Sequence, residues 1–510
     1  PALNATITII HQPSGTIREV QTNEVGLFSV KGLRVGGPYT IVVNSDKYQD
    51  TLEEGISIQL GDTKRLSFQL AAKSSMETIQ VTGSAVGFDS SGAASSFGQE
   101  DIARAPAFNR DLKDIVRNNP MAVVDEEGGL SFGGSNPKFN SITVDGIGQN
   151  DDFGLNESGY PSNRSPISLD AVDQIAVDSS PFSSSVGGFS GGTVNVVTKS
   201  GTNEFKGSTF FEMMSEDMAG EPKDSKPKPD KPEQNNFNVG EQKTTGFTVG
   251  GPLIKDQLFY FLNYSDWTNE QEMDYGFEGS NSVHEYEKVS QENFDRVLSI
   301  MNDVYGLNDS LGGDPKDTNK TLLAKLSWNI SDAHRLDFTY QWQDDQEERN
   351  FGTGGDGGVM LASSRYTYET KFNNFATKIY SDWSDDFSTE IGISYKDVAS
   401  DSSTNSNIGS VTVEEYYRGP SYEFGTDVYR HANASQTKNF TLSFDATYLM
   451  DDHEIKFGAQ YENLNLYNKF AQNSMGSWVF DSIDDFENRE VGNYKDDYDF
   501  SYDNAYTNNA

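Results

Sequence analysis

The feature that most constrains this chain is a series of nine segments between residues 204 and 510 in which apolar and polar side chains alternate. Each segment alternates over about nine to thirteen residues, the length that a tilted β-strand needs to cross a bilayer. The segments are Glu204–Met214, Lys243–Gly251, Gln257–Trp267, Lys320–Asn329, His334–Gln343, Lys371–Trp383, Phe387–Val398, Asn439–Leu449 and Glu454–Tyr467. The pattern predicts a sheet of long antiparallel strands.

The connections between these segments alternate in length. Long links follow Met214, Trp267, Gln343 and Val398, and short links follow Gly251, Asn329, Trp383 and Leu449. Outer-membrane barrels have short periplasmic turns and long outer loops, whereas a sandwich or a propeller does not produce four such pairs in register. The sequence therefore predicts an antiparallel transmembrane β-barrel.

Tryptophan placement agrees with this prediction. Trp267, Trp328, Trp342 and Trp383 lie at or near the ends of predicted strands. We interpret them as part of an aromatic girdle at the membrane surface, with ordinary strand packing as the alternative.

Composition is compatible with a barrel without requiring one. No run of about 18 apolar residues occurs, so a transmembrane helix is excluded, and the mean hydropathy is -0.63. The 47 glycines, 24 tyrosines and 32 phenylalanines fit turns and girdles. A large soluble β protein has the same usage, so composition alone leaves both classes open.

The charge balance argues against one class of partner. The chain has 39 Lys and Arg against 78 Asp and Glu, a net charge of -39, which disfavours nucleic acid and predicts a solvated acidic surface. It has no cysteine, which removes disulfides and thiolate metal sites and suits exposure to the periplasm.

The stretch Asn140–Gly207 carries a family resemblance. Three short β patterns, Ser141–Val144, Gln174–Val177 and Thr193–Lys199, are combined with the motifs ITVDG, LDAVDQIAV and GGFSGGTVNVVTKSGTNEF. Their order and spacing resemble the plug domain of TonB-dependent outer-membrane receptors. The resemblance implies an α+β plug inside the barrel. Its signature residues here are Asp145, Gly146, Gly191, Gly192, Thr198 and Lys199.

A helix is expected earlier in the same unit. Asn109 is a candidate N-cap for a helix from Arg110 to about Arg117, in which Leu112, Ile115 and Val116 form one apolar stripe.

The first 72 residues form alternating segments separated by turn residues, which predicts a small all-β sandwich. Strands are expected in NATITII, TIREVQT, LFSVKGL, YTIVVNS and GISIQL with RLSFQLA. The run TNEVGLFSVKGLRVGGPYTIVV resembles the carboxypeptidase-regulatory-like domain, which precedes the plug in the Oar-like branch. VGGPLIKDQLFYFLNYSDW resembles the second barrel hairpin of that branch.

The resemblance implies an order of domains. We expect the regulatory-like sandwich at 1–72, a TonB box with a flexible linker at 73–100, the plug at 101–203 and the barrel at 204–510. The family closes its barrel with about 22 strands, and nine open strands would leave unpaired edges in lipid. We therefore expect this chain to be roughly the first half of a longer protein, beginning inside its first domain.

The predicted TonB box is a strand-like segment before a Gly/Ser/Ala-rich run. An extended segment of this kind offers free backbone groups to which a partner protein adds a strand. One more strand of the preceding sandwich is the alternative. The residues that resemble the box are Glu77, Thr78, Ile79, Gln80, Val81 and Thr82.

Searches for catalytic and metal sites give no candidate. Gly188–Gly192 matches G-x-S-x-G, but the β-branched residues that follow predict a strand where a nucleophile elbow needs a helix. The five histidines are scattered, and no cofactor or metal is predicted. Asp497, Asp499, Ser501 and Asp503 alternate like the start of a calcium loop without its glycine and terminal glutamate, so solvated loop acids are the favoured interpretation.

One outer loop contains a predicted helix. Ser290 is its candidate cap, and Phe294, Val297, Leu298 and Met301 share one face. The face serves either packing within the loop, which is favoured, or closure over the barrel mouth and ligand contact.

The resemblance implies active transport across the outer membrane of a Gram-negative bacterium, without enzymatic activity. The expected partners are TonB with its motor proteins ExbB and ExbD, outer-membrane lipid, and an extracellular ligand for which a peptide or protein is favoured. The N-terminal sandwich and the TonB box are expected in the periplasm. The alternative is a surface adhesin or secretion-linked receptor that binds a peptide or protein without energised uptake.

Overall fold

The computed structural model describes most of the chain. The described residues are 2–30, 32–58, 64–73, 94–107, 110–125, 128–154, 156, 158–181, 187–215, 218, 240–271, 275–280, 282, 284–286, 288–349, 358–416, 419–450 and 453–492. In this part of the chain no helix has the length and apolar character needed to cross a membrane.

The largest sheet is a nine-stranded antiparallel wall, and all nine strands predicted from alternation are present. The wall follows chain order, interrupted only by loop strands, as β12-β13-β14-β17-β18-β20-β21-β24-β25. Most strands are longer than predicted because their alternation continues into polar ends. They are β12 (Lys206–Met214), β13 (Glu241–Ile254), β14 (Leu258–Glu270), β17 (Lys316–Asn329), β18 (His334–Arg349), β20 (Tyr366–Ser384), β21 (Phe387–Thr404), β24 (Ala434–Met450) and β25 (His453–Lys469).

The wall has reversed polarity, with polar side chains inside and apolar ones outside. In β17 the buried inner face carries Thr321, Lys325 and Ser327, while Leu326 and Trp328 are exposed. A sheet with this polarity is stable where its outer face meets lipid and its inner face meets other polar groups.

The predicted tryptophan girdle is partly wrong. Trp328 and Trp383 are exposed near the short turns, as a girdle requires. Trp267, however, is buried on the inner face, where the guanidinium of Arg164 lies 3.9 Å from its ring centroid. Its position in the strand predicted an interfacial residue, but the alternation of β14 turns its side chain inward.

The second unit is a small α+β domain within the concave side of the wall. Its main sheet has the order β5-β10-β11-β8-β9, with β8 and β11 parallel, and a separate pair joins β6 to β7. Its elements are β5 (Ala94–Gly98), α1 (Gln99–Arg104), α2 (Leu112–Val116), β6 (Ala122–Val124), β7 (Leu130–Phe132), β8 (Ser141–Val144), β9 (Ile147–Gly148), β10 (Val172–Asp178), β11 (Thr193–Thr198) and 3-10 turns at Pro137–Phe139 and Leu169–Ala171.

The predicted helix of this domain is shorter than expected. Its N-cap is Asp111, whose side chain accepts a hydrogen bond from the amide of Lys113 at 3.0 Å. The candidate cap Asn109 lies outside the described residues. Leu112, Ile115 and Val116 are buried in the domain core as the apolar stripe predicted.

The N-terminal domain is a four-stranded sheet in the order β2-β1-β3-β4, formed by β1 (Thr6–His11), β2 (Thr16–Gln21), β3 (Gly36–Asn44) and β4 (Thr51–Ile58). The strands expected in LFSVKGL and RLSFQLA are wrong. The described residues of those segments form no strand, and Phe28 and Phe68 instead pack together against the sheet core, with ring centroids 6.3 Å apart.

The long connections after β14, β18 and β21 and the segment after β25 fold together, at the end of the wall opposite the short turns, into one unit, here called the cap. Its core joins residues from all four of these segments, including Phe294, Val359, Tyr422 and Phe486. Its elements are β15 (Tyr275–Phe277), β16 (His284–Tyr286), α3 (Gln291–Tyr305), β19 (Val359–Met360), a 3-10 turn at Ala362–Ser364, β22 (Ser410–Glu414), β23 (Ser421–Phe424), β26 (Ser477–Phe480) and α4 (Ile483–Asn488).

The predicted loop helix is confirmed as α3, with Ser290 as its cap. Its face packs beyond its own loop, because Phe294 lies 6.3 Å from Tyr422 and Tyr305 stacks 4.7 Å from Phe486 between ring centroids. Phe294, Val297 and Met301 are buried as predicted, Leu298 packs partly buried against the same core, and Ile300 joins them. The favoured interpretation, packing within the loop, is confirmed in part: Phe294 also lies 4.7 Å from Phe277 of its own loop between ring centroids, but the packing extends to other loops.

Candidate functional site

The candidate site is the surface on which the α+β domain rests against the barrel wall. Its centre is the two-residue turn Asp145–Gly146 between β8 and β9, in which both residues have positive φ, 49° and 77°. Such a turn matches the twist of the flanking strands and favours Asp-Gly. The turn presents the carboxylate of Asp145 toward the wall.

Asp145 joins both predicted signature strands to the barrel. Its Oδ1 accepts the backbone amide of Thr198 at 2.9 Å, and its Oδ2 accepts the Thr198 hydroxyl at 2.6 Å. Lys325 of β17 places its Nζ 3.0 Å from the same Oδ2 and 2.9 Å from the Thr198 hydroxyl. The Lys325 side chain is 6% exposed, so this ion pair is shielded from water.

The remaining signature residues have structural roles around this centre. A side chain at Gly146 would collide with the ammonium of Lys378 on β20, and one at Gly192 would collide with the ring of Phe132. A side chain at Gly191 would collide with the side-chain oxygen of Asn140. The backbone of Lys199 donates to the carbonyl of Ala171 at 2.8 Å, which holds the end of β11.

The G-x-S-x-G segment is a crossing between strands. The amides of Ser190 and Gly191 both donate to the carbonyl of Phe139, at 2.8 and 2.9 Å, and β11 follows directly. The strand that the sequence predicted after Ser190 is therefore present.

Further polar contacts extend the surface between the α+β domain and the wall toward the cap. This surface is here called the plug seat. Ser162 donates to Gln343 at 2.8 Å, and the amide of Asn163 donates to Asp345 at 2.9 Å. Gln149 donates to Gln341 at 3.2 Å. The partners on the wall belong to β18, whose inward-facing residues alternate with its outward ones.

A second lysine holds the domain from β21. Lys396 Nζ lies 2.9 Å from the carboxylate of Asp152 and 2.9 Å from the carbonyl oxygen of Asn150, and its side chain is 6% exposed. Two buried lysines on different strands thus each bind one carboxylate of the inner domain.

Arginines attach the domain at its other side. Arg110 forms ion pairs with Asp170 of its own domain and with Glu212 of β12. The guanidinium of Arg164 lies over the ring of Trp267, and burial lowers the pKa of Arg164 from the ordinary arginine value. Apolar contact with the wall includes Phe261 and Leu323, which join the domain's core.

The N-terminal domain rests on the short turns of the wall. Arg34 donates to Asn329 at 2.9 Å, Arg335 donates to the carbonyl of Gly32 at 3.1 Å, and Arg18 pairs with Asp382 at 3.0 Å. Burial, together with Arg34 and Arg335, lowers the pKa of His11 to about 4.

Sequence reasoning identified the inner half of this site and missed the wall half. Lys325, Gln343 and Lys396 were counted only as polar positions of alternating strands. A lysine on the inward register of a strand, as in LLAKLSW, was the signal that could have found them. The predicted TonB box, Glu77–Thr82, and the acids Asp497, Asp499, Ser501 and Asp503 lie outside the described residues.

Three family models match consecutive parts of the chain. Residues 1–71 match the carboxypeptidase regulatory-like domain, residues 87–194 the TonB-dependent receptor plug domain, and residues 197–277 an outer membrane β-barrel domain. These ranges overlap the predicted domains, whose boundaries at 72, 100 and 203 stay predictions.

Known proteins support the same architecture. The TonB-dependent transporter Oar of Myxococcus xanthus is 26% identical over 281 residues, and the probable TonB-dependent siderophore receptor PirA of Acinetobacter baumannii is 31% identical over 207 residues. The matches cover 52% and 37% of this chain. They span 25% of each relative.

A solved structure shares the fold. The outer membrane transporter YddB of Escherichia coli superposes with a TM-score of 0.55 at 15% sequence identity, over 76% of this chain and 50% of that one. Fold, polarity and matched domains define an outer-membrane β-barrel with an internal plug. The chain carries the domains of TonB-dependent outer-membrane receptors, and it is similar to the Oar-like branch, which has an N-terminal carboxypeptidase regulatory-like domain.

Proposed function

We propose that this protein takes up a ligand across the outer membrane by TonB-dependent active transport, with the plug as the gate. The observation that carries the proposal is the polar seat of the plug. Lys325 and Lys396 bind plug carboxylates, and glutamine and serine side chains complete the contact. Such groups can exchange a protein partner for water, so their separation costs less than opening an apolar core of equal area.

The position of β5 supports a gate that opens from the periplasm. β5 is an edge strand of the plug sheet and pairs with β10, from Gln174↔Gly98 to Asp178↔Ala94. It follows the predicted TonB box by about a dozen residues of sequence. A pull on Glu77–Thr82 by TonB, with ExbB and ExbD as the motor, would therefore act first on an edge strand.

The cap supports a large extracellular ligand. Its loops form one folded surface with exposed aromatic side chains, including Tyr416, Tyr429 and Trp478. We propose a peptide or protein as the ligand class, although the name of the PirA relative denotes a siderophore receptor. Uptake assays with labelled peptides and with ferric siderophores separate the two classes, and uptake of the siderophore alone would contradict our choice.

The energised step is tested by deleting Glu77–Thr82 from the full-length receptor. We expect ligand uptake by cells to be abolished, while binding of the ligand to the cell surface is retained. Deleting Ala85–Ser90 shortens the same linker by the same number of residues and should leave uptake near the wild-type level. Unchanged uptake after the first deletion would refute TonB coupling and favour a receptor that only binds.

A further inference from the structure

A cleft of about 670 Å³ lies between the N-terminal domain and the short turns of the barrel. One side of the cleft is β2, from Thr16 to Val20, and the other side includes the turns at Asp332 and Asp385. β2 is an outer strand of its sheet, in the order β2-β1-β3-β4. The cleft therefore opens onto a sheet edge.

The hydrogen-bonding direction of β2 follows from its neighbours. The backbone amide of Gln12, directly after β1, donates to the carbonyl of Pro38 in β3 at 3.1 Å. Even-numbered residues of β1 therefore bond to β3, and odd-numbered residues bond to β2. Ile9 pairs with Arg18, which therefore bonds inward. Ile17 and Glu19 consequently point their backbone amide and carbonyl groups away from the sheet.

The walls of the cleft are strongly acidic. Glu19 lies on the β2 side, and Asp256, Asp332, Asp385 and Asp386 lie on the barrel side. The cation Arg18 is already paired with Asp382 at 3.0 Å. The charge of the cleft therefore complements a chain that carries lysine or arginine.

We propose that this cleft binds an extended, Lys- or Arg-rich segment of a periplasmic protein, which joins the N-terminal sheet as a strand beside β2. Main-chain hydrogen bonds to Ile17 and Glu19 supply affinity, and the aspartates select basic side chains. The six residues of β2 give an edge of about 20 Å, which suits a peptide of similar length. This site is separate from the plug seat and does not depend on energised uptake.

The test uses the full chain in detergent and a fluorescent seven-residue peptide that alternates lysine with valine and threonine. Binding is measured by anisotropy at low salt. Ile17→Pro removes an outward amide without removing a bond to β1, and we expect it to weaken binding about tenfold. The double variant Asp385→Asn/Asp386→Asn should weaken binding about fivefold.

Two controls keep the test decisive. Asp46→Asn/Asp50→Asn removes the same charge from exposed positions outside the cleft and should leave affinity unchanged. A peptide N-methylated at alternate residues cannot pair as a strand, so it should lose affinity without any change to the protein. Absent binding, equal binding of the methylated peptide, or an equal loss in the Asp46/Asp50 control would each overturn the proposal.

Discussion

The cap and the plug both rest on the same barrel, but opposite kinds of contact hold them. The cap is closed by an apolar core to which four loops contribute, with Phe294, Tyr422 and Phe486 at its centre. The plug meets the wall mainly through buried lysines and amides, such as Lys325 and Gln343. An apolar core resists opening because its surface must be hydrated, whereas polar partners can be replaced by water. We therefore expect the cap to resist opening more strongly than the contact between the plug and the wall.

The largest expected effect is in the cap. Phe486 is 1% exposed and packs against Tyr305, Phe424 and Phe480. Phe486→Ala should destabilise the cap by about 4 kcal/mol because it leaves a cavity where four loops meet. Hydrogen exchange of α3 and β22 should accelerate, while exchange in β17 stays unchanged. Val491→Ala, at a half-exposed position, is the control, and slow exchange in Phe486→Ala would contradict a shared core.

A smaller loss is expected at the plug seat. Lys325→Met leaves the carboxylate of Asp145, whose side chain is only 16% exposed, without its ion-pair partner and should destabilise plug seating by about 3 kcal/mol. Hydrogen exchange of β8 and β11 measures the effect. The double variant Lys325→Met/Asp145→Asn should recover most of the lost stability, because the unpaired carboxylate charge is then absent. Lys456→Met, in an exposed pair with Glu454, should change stability by less than about 1 kcal/mol.

Sequence reasoning predicted the wall well and the cap poorly, for physical reasons. Alternation in β17 is a local property of the chain, so a segment such as Lys320–Asn329 reveals its own strand. The contact between Phe294 and Tyr422 joins loops that are far apart in sequence, and neither loop alone shows which partner covers its apolar face. Trp267 shows the same limit, because its inward direction depends on the strand register.

Only the plug residues of the seat could be predicted from the sequence, and the wall residues could not. The Asp-Gly turn and its flanking strands are local, and the resemblance named Asp145 and Thr198 together. Lys325 lies 180 positions from Asp145 along the chain, so their pairing depends on how the wall curves around the plug. The edge contacts of the N-terminal domain, such as Arg34 with Asn329, were missed for the same reason.

The smallest expected effect extends the comparison to the N-terminal domain, which also rests on polar contacts. His11 has its pKa lowered from 6.5 to about 4, so the folded domain holds fewer protons than the unfolded one between these values. The contribution of neutral His11 to the free energy of unfolding should therefore be fully present above pH 6.5. It should fall by about 1.4 kcal/mol per pH unit as the pH decreases from 6.5 toward 4. Pulse proteolysis in urea at pH 7.0 and 5.5 measures this loss.

The variant His11→Gln is the control for that measurement, because glutamine does not titrate. Its stability should vary less between pH 7.0 and 5.5 than that of the wild-type domain. An equal slope in both proteins would assign the pH dependence to other groups. The cap, which is held by apolar contacts, should show little change over the same range, and this sharpens the contrast between the two ends.

The shared core of the cap has a consequence for how such receptors diverge. Because loops from different hairpins pack against one another, an insertion or a volume change in one loop alters the surroundings of the others. Substitutions at Phe294, Tyr422 and Phe486 are therefore expected to be inherited as compensating sets. The outer surface of this receptor would then change its specificity as one evolutionary unit, while each barrel hairpin below it drifts independently.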